Sequence, residues 1–501
     1  MSEPGKIRAE QVFTCLGLGM FLVFPLSFHS YSGITRYKEL MMFLLTAVSL
    51  VAAGATCPRW LKSVRRDPVR LLGVVYFVFV LLSALFGRMH EVTNQQGQSA
   101  VWYGAVRYEG MLTQLCYLAI FLCFSLVLPH RRMLRAGTAA GLALFTGIVL
   151  LQYLGRNPLD LFPRGRSVQT NYEFQGTIGN IDMVSGYLCL AVPMLVLPYV
   201  LHGRERMIMA CGVLGVLLEC MMEVQSGLLG MAVLALFLVW MALSDAAARP
   251  RALLVLSLMS LCALARACVN LPWLDGGNLG FRWPDASGIM MGVLAAALGV
   301  LARVLPGKHV LTGKRAALLL LGLALAALTA LFVIPVPEDA GGLWELREIL
   351  HGRARDEFGS WRWGVWRQTL AMSGKSLLFG TGPDTFLYAF RDQVLESGLQ
   401  VPETFDNPHS IPLAVLANHG LPALCLFLGM TCLGIGRCFR HGRGKWVEGA
   451  ALIVYSIQGL FSFSICIVSP MFWALLGMTA ATEETYDCES FGSPEKSQAG
   501  A

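Results

Sequence analysis

The chain has 501 residues, 55% of them hydrophobic and only 14% charged, with a formal net charge of +7. A soluble domain carries about 25% charged residues, so this composition excludes an ordinary globular protein and points to a lipid-embedded one. The basic residues fall in short clusters between apolar runs, a pattern that fits a membrane face rather than a nucleic acid. The cysteines are scattered through apolar runs without a CxxC pair or a zinc spacing, so neither a disulfide framework nor a metal site is expected.

Runs of about 18 or more apolar residues cross a bilayer core as helices, because backbone groups in lipid must be satisfied within the segment. In chain order these runs fall near 11–28, 39–55, 69–87, 111–128, 136–154, 183–201, 206–223, 226–243, 252–271, 288–305, 315–335, 411–436, 446–464 and 467–482. The predicted fold is an all-α polytopic membrane protein with about 12–14 transmembrane helices. The first run lacks a cleavage site and reads as a retained helix. The expected division is an N-terminal membrane part (1–335), a folded extracytoplasmic loop (336–410), C-terminal spans (411–482) and a disordered polar tail (483–501).

Lys and Arg concentrate in alternate loops. They are Arg59, Lys62, Arg65 and Arg66; Arg131, Arg132 and Arg135; Arg204 and Arg206; Arg249 and Arg251; Arg303, Lys308, Lys314 and Arg315; and Arg437, Arg440, Arg443 and Lys445. The positive-inside rule makes these loops cytoplasmic and places both termini inside. Loops 88–110, 155–182 and 336–410 then face outward.

The longest outward loop holds the chemistry-bearing residues. It reads Gly359-Ser360-Trp361-Arg362-Trp363-Gly364-Val365-Trp366, then Gly380-Thr381-Gly382-Pro383-Asp384, then Asp406-Asn407-Pro408-His409-Ser410, with Asn418-His419-Gly420 just inside the next span. An arginine fork suits a diphosphate through paired charge-assisted hydrogen bonds. A histidine can take a proton from a sugar hydroxyl near neutral pH. Together, Arg362 and His409 form a minimal apparatus for displacing a sugar from a diphosphate, with cationic side chains in place of a metal. By residue type alone, Arg362 among its tryptophans also fits an interfacial anchor, and Gly380 and Gly382 fit a tight turn as well as a phosphate cradle. His419, inside a span, reads as an interhelix hydrogen-bonding residue.

These motifs, in this order, resemble the core pattern of the O-antigen ligase and O-antigen polymerase family. Gly176-Thr177-Ile178-Gly179-Asn180 before a span carrying Pro193 is similar to a further family stretch, as are Gln225-Ser226-Gly227 and Arg107-Tyr108-Glu109-Gly110. Ser410 stands where the family commonly has Asn, and the family's arginine after Ser226 is absent.

The resemblance implies a GT-C-like, metal-independent inverting glycosyltransferase of the bacterial cytoplasmic membrane, active on its outer side and without a cofactor. Its donor would be an undecaprenyl-diphosphate-linked glycan and its acceptor a glycan or lipid, with membrane lipids as surroundings. Arg362 would contact the diphosphate and His409 would act as base or orienter. Arg164, Arg166, Asn180, Gly380 and Gly382 are the substrate-binding candidates. Arg156, Arg164 and Arg166 form an outward basic cluster against the orientation bias, suited to lipid headgroups or an anionic donor. Arg107 is expected to pair with Glu109 or anchor its loop, and Glu219 is an intramembrane carboxylate without an assigned role. The competing reading is a transporter or flippase for a lipid-linked glycan, which explains the spans but not the motif order in the outward loop.

Overall fold

The computed structural model describes residues 3–30, 33–57, 64, 67–161, 174–271, 278–305, 310–399, 401, 404–440 and 442–481. The architecture is all-α and polytopic, and the strands among the described residues form two-residue hairpins. Each apolar run read from the sequence contains a helix. Among the described residues, 10 helices are long and apolar enough to cross a membrane.

The other runs form shorter helices, Met111–Phe124, Arg206–Met222, Trp446–Gln458 and Ser469–Ala480. The last two are short because residues 459–468 leave the helical path and form an irregular, mostly buried segment. Such backbone is tolerated at membrane depth only where protein surrounds it or a cavity adjoins it, and both conditions hold here.

The helix Ile181–His202 is the axis of the bundle. It is apolar all round and buried from Met183 to Val200, as expected of a helix with neighbours on every face. Asn180 caps it, its side-chain oxygen accepting from the Asp182 N–H at 2.9 Å. Around it pack Arg131–Tyr153, Arg206–Met222, Gln225–Ser244 and Trp446–Gln458. Small residues set the approach of Gln225–Ser244. A Cβ on Gly227 would run into Ser185 and the Glu219 carboxylate, and one on Gly230 would meet the Cys189 sulfur at 2.6 Å. Glu219 itself is fully buried and accepts a hydrogen bond from Ser185 Oγ at 3.0 Å. At the periphery, Ala286–Val304 and Gly313–Val333 are only 11% and 6% buried across their apolar windows.

The arginine-bearing loops are tied together at one end of the bundle. Arg131 pairs with Glu448 at 3.2 Å and Arg135 with Glu205 at 2.9 Å. Arg437 pairs with Asp67, and Arg443 with Asp245. Arg70 donates to the carbonyls of Ser125 and Ala480, and Lys445 to that of Ala481. Among the described residues, basic side chains from successive alternate loops thus meet at one end of the bundle.

At the opposite end the loop 336–410 is folded. It contains the helices Gly342–Leu350, Arg362–Gly374 and Phe386–Ser397. Val365, Met372, Phe386, Phe390 and Phe405 give it a small core of its own, which meets the membrane helix at Ala417.

The close approach at Gly227 makes a prediction about stability. Gly227→Ala should destabilise the protein by about 1–3 kcal/mol, the usual cost of overpacking. Gly322→Ala, where a Cβ meets nothing within 4 Å, should be neutral. Thermal unfolding of the two variants in detergent checks the difference.

Candidate active site

The site is organised by a break in the helix Ile411–Arg440. Gly420 leaves helical geometry at φ 86, ψ 175. Its N–H-bearing neighbour Leu421 donates to the Leu377 carbonyl at 2.8 Å instead of back along the helix. Pro422 has no N–H to offer. The carbonyls of Ala417 and Asn418 therefore lose their helical donors and are taken by the N–H groups of Thr381 at 2.8 Å and Gly382 at 2.9 Å. On its other side the same segment accepts from Arg88 N–H at Gly380 O (3.1 Å) and from Met89 N–H at Thr381 O (2.8 Å). Gly380-Thr381-Gly382 is a splice between the end of Pro68–Phe86 and the broken helix.

Both splice glycines have positive φ, 64 for Gly380 and 116 for Gly382. A Cβ on Gly380 would collide with the Asn418–His419 peptide, so glycine is required there by space as well as by conformation. The Gly380 N–H is itself donated to Ser376 O at 2.8 Å. His419, just before the break, meets Ser83 Oγ through Nδ1 at 3.0 Å and joins the two helices.

Asp384 follows the splice, at φ 56. Its Oδ2 accepts the backbone N–H groups of Ala105 (2.7 Å), Arg107 (3.2 Å) and Glu109 (3.3 Å). One carboxylate oxygen thus folds the loop that follows Tyr103. Burial pushes the Asp384 carboxyl up to about 6 against the opposing pull of those three bonds. The loop aims Arg107 at Asp406, Nε to Oδ2 at 2.6 Å and Nη2 to Oδ1 at 3.2 Å, with the guanidinium 4.9 Å from the centre of the Phe463 ring. Arg107 therefore pairs with Asp406 and not with Glu109. Glu109 accepts from Tyr117 OH at 2.7 Å and Gln114 Nε2 at 3.2 Å, and burial holds its carboxyl well above the usual range.

His409 sits beside this pair at φ 47, its N–H donated to Asn407 Oδ1 at 2.9 Å. Its ring meets Phe463 edge-on at 5.1 Å and Phe405 at 6.2 Å. The adjoining Pro408 carbonyl accepts from Trp366 Nε1 at 2.8 Å, which ties the histidine segment to the helix Arg362–Gly374. Arg362 opens that helix and donates through Nη1 to Gly359 O at 3.0 Å. Arg362 Nε and His409 Nδ1 are both buried without a hydrogen-bond partner among the described residues. The imidazole is held down to about 4, first by burial, then by the Arg362 charge and, more weakly, by Arg107, against the opposing Asp406. Asp182, at the start of the central helix, lies within electrostatic reach of both arginines.

A cavity of about 230 Å³ opens next to these groups. Arg107, Glu109, Asp384, Asp406 and Asn418 line one end, and Phe427, Phe472 and Trp473 the other. Phe463 also lines it and separates it from His409.

Of the residues singled out from the sequence, Arg362 and His409 come together. Gly380 and Gly382 stand nearby as the splice, and Asn180 is the cap of the central helix. Arg164 and Arg166 lie outside the described residues. Sequence reading passed over Asp384, Asp406 and Asn418. The available signal was their adjacency to the motifs: Asp384 two residues past Gly382, Asp406 ahead of His409, and Asn418 ahead of Gly420.

Stacked apolar spans with a polar, loop-built side-chain cluster at one end define a multi-pass α-helical membrane protein. Residues 285–428 match the family described as O-antigen ligase. That segment, which contains Arg362, Gly380, Gly382, Asp384, Asp406 and His409, is what the chain shares with the family. The family is one of glycan-transferring, ligase-type enzymes of polysaccharide assembly. No curated protein matches the chain.

The role of Asp384 is testable. Asp384→Ala strands three backbone donors and should lower stability by at least about 1–3 kcal/mol. Asp384→Asn keeps an acceptor oxygen and should recover most of the loss. Thermal unfolding of both variants in detergent, beside the wild type, measures it.

Proposed function

We propose that the chain transfers a glycan from a polyprenyl-diphosphate-linked donor to a hydroxyl acceptor on a sugar or lipid, at the outer face of the bacterial cytoplasmic membrane. The observation that carries this reading is the convergence of Arg362 and His409, each with a buried side-chain nitrogen left without a partner among the described residues. The outward placement is supported by the basic loops gathered at the other end, which the positive-inside rule assigns to the cytoplasm.

In this reading Arg362 binds the diphosphate, helped by its position at a helix N-terminus, where backbone N–H groups favour anions. The acceptor hydroxyl approaches the anomeric carbon from the face opposite the diphosphate. The new carbon–oxygen bond forms as the bond to the diphosphate breaks, which inverts the anomeric carbon. The hydroxyl proton passes to the His409 imidazole, and the leaving charge is stabilised by the guanidinium rather than by a metal.

The arginines also give the site a way of timing the base. Part of what depresses His409 is positive charge from Arg362 and Arg107. A bound diphosphate offsets that charge and makes the imidazole more basic when the donor is in place.

Two predictions follow from these roles. Arg362→Ala and His409→Ala should each cut transfer by about 10²–10⁴-fold with the protein still present in membranes. Surface polysaccharide on a gel then shows free lipid-linked chains for a ligase, or single repeat units for a polymerase. Intact transfer in both variants would move a transporter reading ahead.

The second prediction concerns pH. A base must be unprotonated, so kcat/KM, which reports the free enzyme, should stay flat through neutrality and fall only as pH approaches about 4. The kcat profile, which reports the donor-bound state, should break at a higher pH. Coincident breaks would contradict the proposed coupling.

A further inference from the structure

The loop helix Gly342–Leu350 is built the wrong way round for a helix that fronts water. Leu343, Leu346 and Leu350 share one stripe, within about 60° of arc, and are 60%, 41% and 38% exposed. Its charged residues are consumed inside the loop instead. Glu345 Oε2 accepts the Gly359 N–H at 2.9 Å. Arg347, which flanks the leucines, is drawn back: its Nε donates to Ile334 O at 3.1 Å and its Nη1 pairs with Glu348 at 3.2 Å. Glu348 also takes Nε and Nη2 of Arg353, at 2.6 and 2.8 Å. The Arg347 and Glu348 side chains are thereby only 17% and 13% exposed. A helix against water shows its charges and hides its leucines, so a contiguous apolar face of this kind calls for an apolar neighbour.

The position of the helix says which neighbour. It lies beside the end of the membrane-crossing helix Gly313–Val333 and not beyond it. His351, at its C-terminus, stacks on Phe332 at 4.3 Å, and Arg347 reaches the carbonyl of Ile334. Phe332, Val333 and Ile334 are themselves exposed, as residues in contact with lipid are. The leucines therefore stand open at the depth of the last turn of a span. Residues 336–360 carry six carboxylates against three arginines, so attraction to anionic headgroups is not what would hold the helix there.

We propose that the helix Gly342–Leu350 is seated in the bilayer leaflet at the end of the bundle opposite the basic loops, with Leu343, Leu346 and Leu350 in the acyl-chain boundary and its charges held on the protein side. Short amphipathic helices bind membrane interfaces through buried apolar area in this way. The inference rests on the surface of this helix and not on the glycan-transfer reading. That the leaflet is the outer one follows from the positive-inside rule. The seat reaches Arg362 through one glycine: Glu345 takes the Gly359 N–H, and the Gly359 carbonyl accepts from Arg362 Nη1 at 3.0 Å.

The test uses the full chain in nanodiscs holding a single chain each, made of phosphatidylcholine alone or with added phosphatidylglycerol. Leu346→Cys, Leu350→Cys and, as a water-facing control in the same loop, Glu357→Cys are treated with a membrane-impermeant maleimide. Labelling is read by mass spectrometry on the peptide that carries each position, so the native cysteines do not contribute. The thiolate is the reactive form and is disfavoured in apolar surroundings. Both leucine-site cysteines should label at least about tenfold more slowly than Glu357→Cys, equally in the two lipid mixtures.

Labelling of Leu346→Cys and Leu350→Cys at the rate of Glu357→Cys would overturn the seat. Protection found only when two chains share a disc would assign the leucine face to a second copy, and protection found only with phosphatidylglycerol would assign it to headgroup charge; either result also overturns the proposal. None of these outcomes depends on whether Arg362→Ala and His409→Ala abolish transfer, so the two readings fail separately.

Discussion

A helix that stops bonding to itself inside a membrane must find its missing donors in the protein, because lipid offers none. Gly420 and Pro422 create that demand in the helix Ile411–Arg440, and the amides of Thr381 and Gly382 meet it. The rest of the site hangs on this exchange. It fixes the turn and loop from Leu377 to Gly382 against the bundle, which places Asp384. Asp384 then gathers the backbone of Ala105, Arg107 and Glu109, and Arg107 in turn engages Asp406 just ahead of His409. Three stretches far apart in the chain are thereby held in register, the first link by backbone groups and the next two through the Asp384 carboxylate and the Arg107–Asp406 pair.

Charge is partitioned with equal economy. At one end of the bundle Arg131, Arg135, Arg437 and Arg443 are paired with carboxylates, and Arg70 and Lys445 donate to backbone carbonyls. At the other end, Arg362 keeps a buried N–H unsatisfied beside a histidine held in its neutral form. Unsatisfied buried polar groups are uncommon in folded proteins, and it is on these two that the proposed glycan-transfer site rests. The cavity next door carries carboxyls at one part of a largely apolar lining.

Much of the architecture was legible in the sequence because hydropathy over a span is a strong, local signal. Every apolar run holds a helix, and the alternating basic loops do share an end. What hydropathy could not show is that 459–468 is apolar yet non-helical. Its composition suits the membrane interior, and only the adjoining cavity explains its backbone. Arg362 and His409, singled out by motif order, lie within electrostatic reach of each other. Of the two roles expected for Arg107, a pair with Glu109 or a loop anchor, the first does not hold: sequence neighbours suggest local pairs, whereas Asp406 reaches it through tertiary folding. Asp384 was invisible as an anchor, since an acceptor of three distant backbone amides leaves no pattern in its own neighbourhood.

The helix Gly313–Val333 touches little of the bundle along its apolar length, yet it is the covalent lead into the loop that bears Arg362. Its far end is tied to that loop, through Phe332 stacked on His351 at 4.3 Å and Arg347 donating to Ile334 O at 3.1 Å. The helix is therefore a compliant mount. Few contacts along its apolar length oppose a change of its tilt, whereas the helix that begins at Arg362 packs directly on the broken helix Ile411–Arg440.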